Sequence, residues 1–213
     1  MKEFDLIFSQ ATKSMGFVPS SLKAMSKKPN ILGSFTMLFA NINGFQSSEV
    51  SPLTALKLMF KNLKWSIQAK KNSDQEVPIY LKNLVAHMVS NAAGCRYCQA
   101  HTASTANRNG VEVKKLQSIW EFQTSELFDD RERAALNFAL AAGSVPNQVT
   151  AKHHVALRKH FTESQMVEIV ATISVFGFLN RWNDSMATPL EEEPLEFASK
   201  HLSTHWKPGK HLN

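Results

Sequence analysis

At 213 residues, with 43% hydrophobic and 20% charged side chains, the chain can bury a core without covalent staples and holds one large domain or two small ones. The net charge is +6, but the basic residues sit in short clusters (Lys27-Lys28, Lys70-Lys71, Lys114-Lys115) with no interleaved aromatics. That pattern argues against a nucleic-acid surface. No apolar run reaches membrane-spanning length, and Met1 to Gln10 carries acids in place of a cleavable apolar leader. The expectation is therefore no membrane contact and a cytoplasmic setting.

Apolar spacing is helical almost throughout, and alternating β-branched runs are scarce. Residues 4–15 read as a first helix ended by Gly16 and Pro19, and Ser20 to Ser26 as a short second one stopped before Pro29. Ile31, Leu32, Phe35, Leu38 and Phe39 form one stripe, for the core or a subunit interface. Ser51-Pro52 fits the cap and first position of a long helix to about Lys71. The polar stretch Lys70 to Pro78 reads as a loop. Leu81, Leu84, Val85, Met88, Val89 and Ala92 then line one face of a helix that Gly94 ends, with Asn83, His87 and Asn91 beside it.

The next helix opens at Cys95 and runs to Asn109-Gly110. Asp129 or Asp130 caps a helix over 131–142, residues 147–160 form another, and Thr162 with Gln165 makes a capping box for a long helix to about Asp184. Pro189 and Pro194 precede a last helix near 195–204, and the tail at 205–213 is expected to fray. No repeat or long Gly/Ser linker divides the chain. The reading is all-α, a single domain over 1–213 with roughly eight to ten helices.

The chemistry is concentrated at Cys95 and Cys98, the chain's two cysteines. A CxxC at a helix start brings both sulfurs within reach of each other and sets one against the positive helix end, which favours thiolate. His101 follows Cys98 by three positions, one helical turn. An imidazole there can take a thiol proton and return it to a leaving hydroxide. Four zinc ligands drawn from Cys95, Cys98, His101 and His87 are the competing chemistry, but no second cysteine pair exists to complete a structural zinc site. Tyr97 reads as packing. Arg181 and Asp184 read as an intrahelical or intersubunit ion pair, and Glu76, in the loop, has no assignable role.

KNLVAHMVSNAAGCRYCQAHTASTA (Lys82 to Ala106), the later DDRERAALNFALAA and VEIVATISVFGFLNRWNDSM, and the N-terminal MGFVPSSLKAMSKKPNILGSF resemble the carboxymuconolactone decarboxylase-like family. The redox motif resembles its alkylhydroperoxidase D-like branch, and the likeness spans about residues 15–190. The resemblance implies an all-helical fold assembling into homotrimers or homohexamers. It also implies a peroxidase cycle in which Cys98 attacks a hydroperoxide, Cys95 resolves the sulfenic acid to a disulfide, and an external dithiol or disulfide reductase restores the pair. No metal, flavin or haem is implied.

Two positions depart from the family pattern. The family glutamate, twelve residues before the first cysteine, falls on Asn83, and the family histidine position, four residues after the second, falls on Thr102. His101 is one residue early, a rotation of about 100° on a helix, and His87 is the candidate to replace part of the relay. The alternatives are a non-enzymatic thiol sensor or oligomeric scaffold, a zinc-binding module, and the lactone decarboxylase activity of the branch that lacks the CxxC.

Overall fold

The computed structural model describes residues 4–43, 52–71 and 75–212. Among them it contains eleven α-helices and no strand, an all-α fold. The chain divides into two compact units, Met1–Glu76 and Val77–Asn213.

In the first unit, α1 (Asp5–Met15), α2 (Ser20–Met25), α3 (Pro29–Asn43) and α4 (Pro52–Lys71) follow the expected boundaries closely. The cap expected at Ser51 lies outside the described residues. Ile7, Ala11, Leu22, Leu32 and Trp65 form the core. Phe35 packs against that core, whereas Leu38 and Phe39 of the same stripe face outward, each 49% exposed. Glu76 accepts a salt bridge from Lys28 at 3.3 Å.

The second unit is built on α5 (Ile79–Ala93), whose residues from Leu84 to Ser90 are all buried. It packs against α6 (Arg96–Arg108), α8 (Asp130–Gly143) and α10 (Glu163–Met186). A helix enclosed on several sides buries polar positions too, which is why His87 and Ser90 lie inside with the apolar stripe. The core runs through Leu81, Leu84, Met88, Leu136, Leu157 and Ile169.

Local capping fixes the helix starts. At α8, the Asp129 carboxylate accepts the Glu132 N–H at 2.7 Å and Glu132 accepts the Asp129 N–H at 2.9 Å, a reciprocal box. The buried Glu132 also takes Lys115 at 2.6 Å, tying α8 to the short α7 (Val113–Gln117). Thr162 and Gln165 form the expected box on α10. Residues 147–160 yield only α9 (Ala151–Arg158), because Thr150 becomes its cap.

The tail packs down instead of fraying. After α11 (Glu192–His201), Trp206 is buried and its indole N–H donates to Gln99 Oε1 at 3.0 Å. The Leu190 N–H bonds the His211 carbonyl at 2.8 Å, and a 3-10 turn at Gly209–His211 closes the segment. Two apolar or aromatic side chains in an otherwise polar tail supply the burial that holds it. Among the described residues, no helix is long and apolar enough to cross a membrane.

Candidate functional site

The α5–α6 turn sets the two cysteines. Gly94 ends α5 at φ 75°, a left-handed conformation that side chains rarely adopt. The chain then re-enters a helix with Cys95 as its cap, in extended backbone, and Cys95 Sγ accepts the Cys98 N–H at 3.3 Å. Both thiols are free and nearly buried, at 1% and 3% exposure.

The environment treats the two sulfurs oppositely. The Cys98 S–H donates toward Cys95 and lowers the Cys95 pKa; burial and the Asp184 carboxylate oppose this, and the Cys98 backbone N–H and Lys210 add to the lowering. Cys98, whose proton is held in that hydrogen bond and which faces the Cys95 charge in a buried position, is pushed up. Asn183 donates to Cys98 Sγ at 3.6 Å. The cap position and the Cys98 N–H both favour negative charge on Cys95.

His101 lies one turn beyond Cys98 but turns toward α11. Its Nε2 meets Glu191 Oε2 at 2.6 Å, and its ring stacks on Tyr97 with centroids 4.2 Å apart. The Tyr97 hydroxyl donates to Glu191 Oε1 at 3.1 Å. Tyr97 thus does more than pack: partial burial and the Glu191 carboxylate push its phenol up to about 12. Glu191 itself, raised by burial, ends below its ordinary value through its own backbone N–H, His101 and Tyr97.

His87 is 1% exposed and held neutral, its pKa pulled down to about 4 by burial. Its Nδ1 pairs with Thr102 Oγ1 at 2.9 Å, and that hydroxyl donates to the Cys98 carbonyl at 2.6 Å. Thr102, at the family histidine position, thus carries the link from His87 to the CxxC backbone. His87 and His101 consequently sit on two different branches around the motif, one internal and one at the surface. The zinc set of Cys95, Cys98, His101 and His87 is not what the fold gathers.

A further group comes from distant sequence. One ligand-type atom each from Cys95, Asp184 and His211 lies within 4.8 Å of the others. Asp184 pairs with Lys210 at 2.9 Å, and Arg181 bonds the Gly177 carbonyl of its own helix at 3.4 Å, so within the chain the two do not form the intrahelical pair. Sequence reading missed Asn183, His211 and Glu191, and did not anticipate Lys210 as the partner of Asp184. A histidine and a tryptophan in a short tail were the available signal.

This all-helical unit with a buried CxxC at the α5–α6 turn defines the class: the fold is that of the carboxymuconolactone decarboxylase and AhpD-like proteins. No protein-family model matches the chain. The debrominase Bmp8 is 31% identical over 90% of this chain and 88% of its own, with a TM-score of 0.54. A cysteine-to-alanine variant of Bmp8 in complex with 2,3,4-tribromopyrrole is 29% identical, with 93% and 90% covered and a TM-score of 0.57. By that identity and coverage, the chain belongs to the family of Bmp8. An Agrobacterium tumefaciens protein of unknown function, associated with AhpD antioxidant defence, is 18% identical at a TM-score of 0.53 over 63% of this chain, a likeness of fold alone. The uncharacterised Escherichia coli protein YnjA is 30% identical over 111 residues, 52% of this chain and 61% of YnjA.

Proposed function

We propose that the protein is a dithiol-dependent reductase that delivers two electrons from Cys95 and Cys98 to a small electrophilic substrate, with a hydroperoxide as the substrate class. The observation that carries the reading is the polarised pair, in which Cys95 caps α6 and accepts the Cys98 N–H while Cys98 is pushed up. A thiolate hydrogen-bonded to a thiol is the form that attacks first and resolves second.

Cys95 Sγ attacks the terminal peroxide oxygen and the O–O bond breaks. Cys95 becomes a sulfenic acid, and the departing alkoxide takes a proton to leave as alcohol. Cys98, losing its proton, attacks that sulfur, so that water leaves and the Cys95–Cys98 disulfide forms. An external dithiol then reduces the disulfide. This order reverses the one the family resemblance implies, because the helix cap stabilises the first cysteine. His101, wired to Glu191, is the proton carrier to the surface, and His87 holds the motif through Thr102.

A second reading rests on Bmp8, a debrominase 31% identical over most of both chains. Here the same two thiols convert an aromatic C–Br bond to C–H, with bromide and the disulfide as the other products. One experiment tests both: reduced protein and excess dithiol are supplied with an organic hydroperoxide or with a brominated pyrrole, and substrate loss is counted per chain. Many equivalents of hydroperoxide consumed support the main reading. Bromide release without peroxide loss supports the second. Stoichiometric oxidation that never turns over supports a thiol sensor and defeats both.

We further propose a cytoplasmic homo-oligomer. On α10, Val175, Phe178, Trp182 and Met186 follow one another at near-helical spacing and are 44–65% exposed. An apolar stripe of that length is suited to burial against another copy. Sedimentation of the purified protein distinguishes trimer, hexamer and monomer.

A further inference from the structure

We propose that reduced Cys95, Asp184 and His211 form a zinc site, which would mask the Cys95 thiolate when filled. The three residues come from the cap of α6, the last turns of α10 and the 3-10 turn at Gly209–His211, and their donor atoms converge within 4.8 Å. Nothing local in the sequence brings them together.

The orientation of His211 points to a ligand. It is 1% exposed, and its Nδ1–H donates to the Thr188 carbonyl at 2.8 Å. A carbonyl only accepts, so Nδ1 carries a proton and Nε2 is the ring nitrogen left to meet a ligand. That buried Nε2 has no hydrogen-bond partner. It faces Asp184 Oδ1 at 3.6 Å, beyond hydrogen-bond reach. A sulfur, an imidazole nitrogen and a carboxylate oxygen thus converge on one point, a donor set that a cation between them would complete.

The outer contacts match those of metal-binding side chains. Ligating imidazoles characteristically give their other N–H to a carbonyl or carboxylate, and ligating carboxylates are themselves hydrogen-bonded. Here Thr188 holds His211, and Lys210 holds the second Asp184 oxygen at 2.9 Å. The other charged or titratable groups facing the cluster are Cys98, Lys210 and Tyr97, whose ring lies against His211 with centroids 5.9 Å apart; the Lys210 ammonium tempers the negative charge. Sulfur, nitrogen and oxygen donors together select zinc over magnesium or calcium. Tetrahedral zinc bonds place neighbouring ligands roughly 3.3–3.7 Å apart, so closing the cluster by at most about 1.5 Å seats the ion. Three protein ligands leave the fourth position to water.

The proposal shares Cys95 with the reductase reading but does not depend on it, and its test reads metal, not turnover. Reduced protein stripped with a chelator is titrated with zinc chloride against a chromogenic competitor. The expected result is one zinc per chain, with slower alkylation of Cys95 by iodoacetamide when zinc is bound. Affinity should fall at least tenfold in His211→Ala and in Asp184→Asn, and stay within tenfold in Cys98→Ala. Failure to hold zinc overturns the proposal. So does zinc held equally by His211→Ala but lost in Cys98→Ala, which is simple chelation by the dithiol. Should the variants unfold, zinc X-ray absorption of the unmutated protein decides: one sulfur with nitrogen and oxygen neighbours is expected, and an all-sulfur shell or the absence of a sulfur neighbour overturns the site.

Discussion

The backbone N–H of Cys98 donates to Cys95 Sγ across 3.3 Å, so the first cysteine of the motif caps the helix that carries the second. Spacing brings the sulfurs together, but capping makes them unequal. The orphan N–H groups of the first turn favour negative charge on the cap, while Cys98 lies inside the helix, one turn from that end.

That asymmetry predicts a pH dependence. Cys95 has a pKa below its ordinary value, so its thiolate is present above that lowered pKa and is lost as the pH falls through it. Alkylation of Cys95 should rise with pH earlier than that of Cys98. Cys98→Ala removes the thiol donor and leaves the backbone one, so the Cys95 pKa should move up; thiolate absorbance against pH measures it. By linkage, the lowered Cys95 pKa stabilises the fold above its unfolded value, and that contribution disappears as the pH drops through the folded one.

His87 makes the second prediction. Burial holds its pKa at about 4, against 6.5 when exposed. Between those values the unfolded chain binds a proton that the folded chain refuses, so stability falls as the pH drops from 6.5 to about 4. The loss is roughly 3 kcal/mol for a shift of this size. Urea unfolding across that range should show it, and the slope should flatten in His87→Gln, whose side chain does not titrate.

His101 separates chemistry from stability. Its contact with Glu191 is partly exposed, and such pairs contribute at most about 1 kcal/mol. His101→Ala should therefore unfold at nearly the same denaturant concentration as the parent. As a proton carrier its loss should slow the reductase cycle by roughly 10²–10⁴-fold. Equal rates in parent and variant would remove His101 from the mechanism.

Trp206 anchors the tail. It is buried, packs with Ala100, Leu190 and Ala198, and donates to Gln99. Trp206→Ala should cost about 3–5 kcal/mol by denaturant unfolding. Because the same segment carries Lys210 and His211 toward Cys95, the variant should also alter the alkylation rate of Cys95.

Where structure is decided locally, the sequence was readable. Gly94, the cap at Asp129 or Asp130 and the Thr162–Gln165 box each act within one turn, and each helix boundary they mark is present. The short α7 went unread, since five residues carry little periodicity and its anchor is the tertiary Lys115–Glu132 pair. The site divided in the same way. Cys95 and Cys98 were visible because their spacing is itself the geometry. Glu191, at His101, and His211, near Cys95, lie about 90 and more residues from their partners, and only the packing of α11 and the tail delivers them.

The most direct test of the central claim is where the first oxidation lands. Cys98→Ser and Cys95→Ser, each reduced, are treated with one equivalent of an organic hydroperoxide and a sulfenic-acid trap, and the modified residue is located by mass spectrometry. A trapped sulfenic acid is expected at Cys95 in Cys98→Ser and almost none in Cys95→Ser. Rapid trapping at Cys98 in Cys95→Ser, with Cys95 left unmodified in the other variant, would contradict the claim.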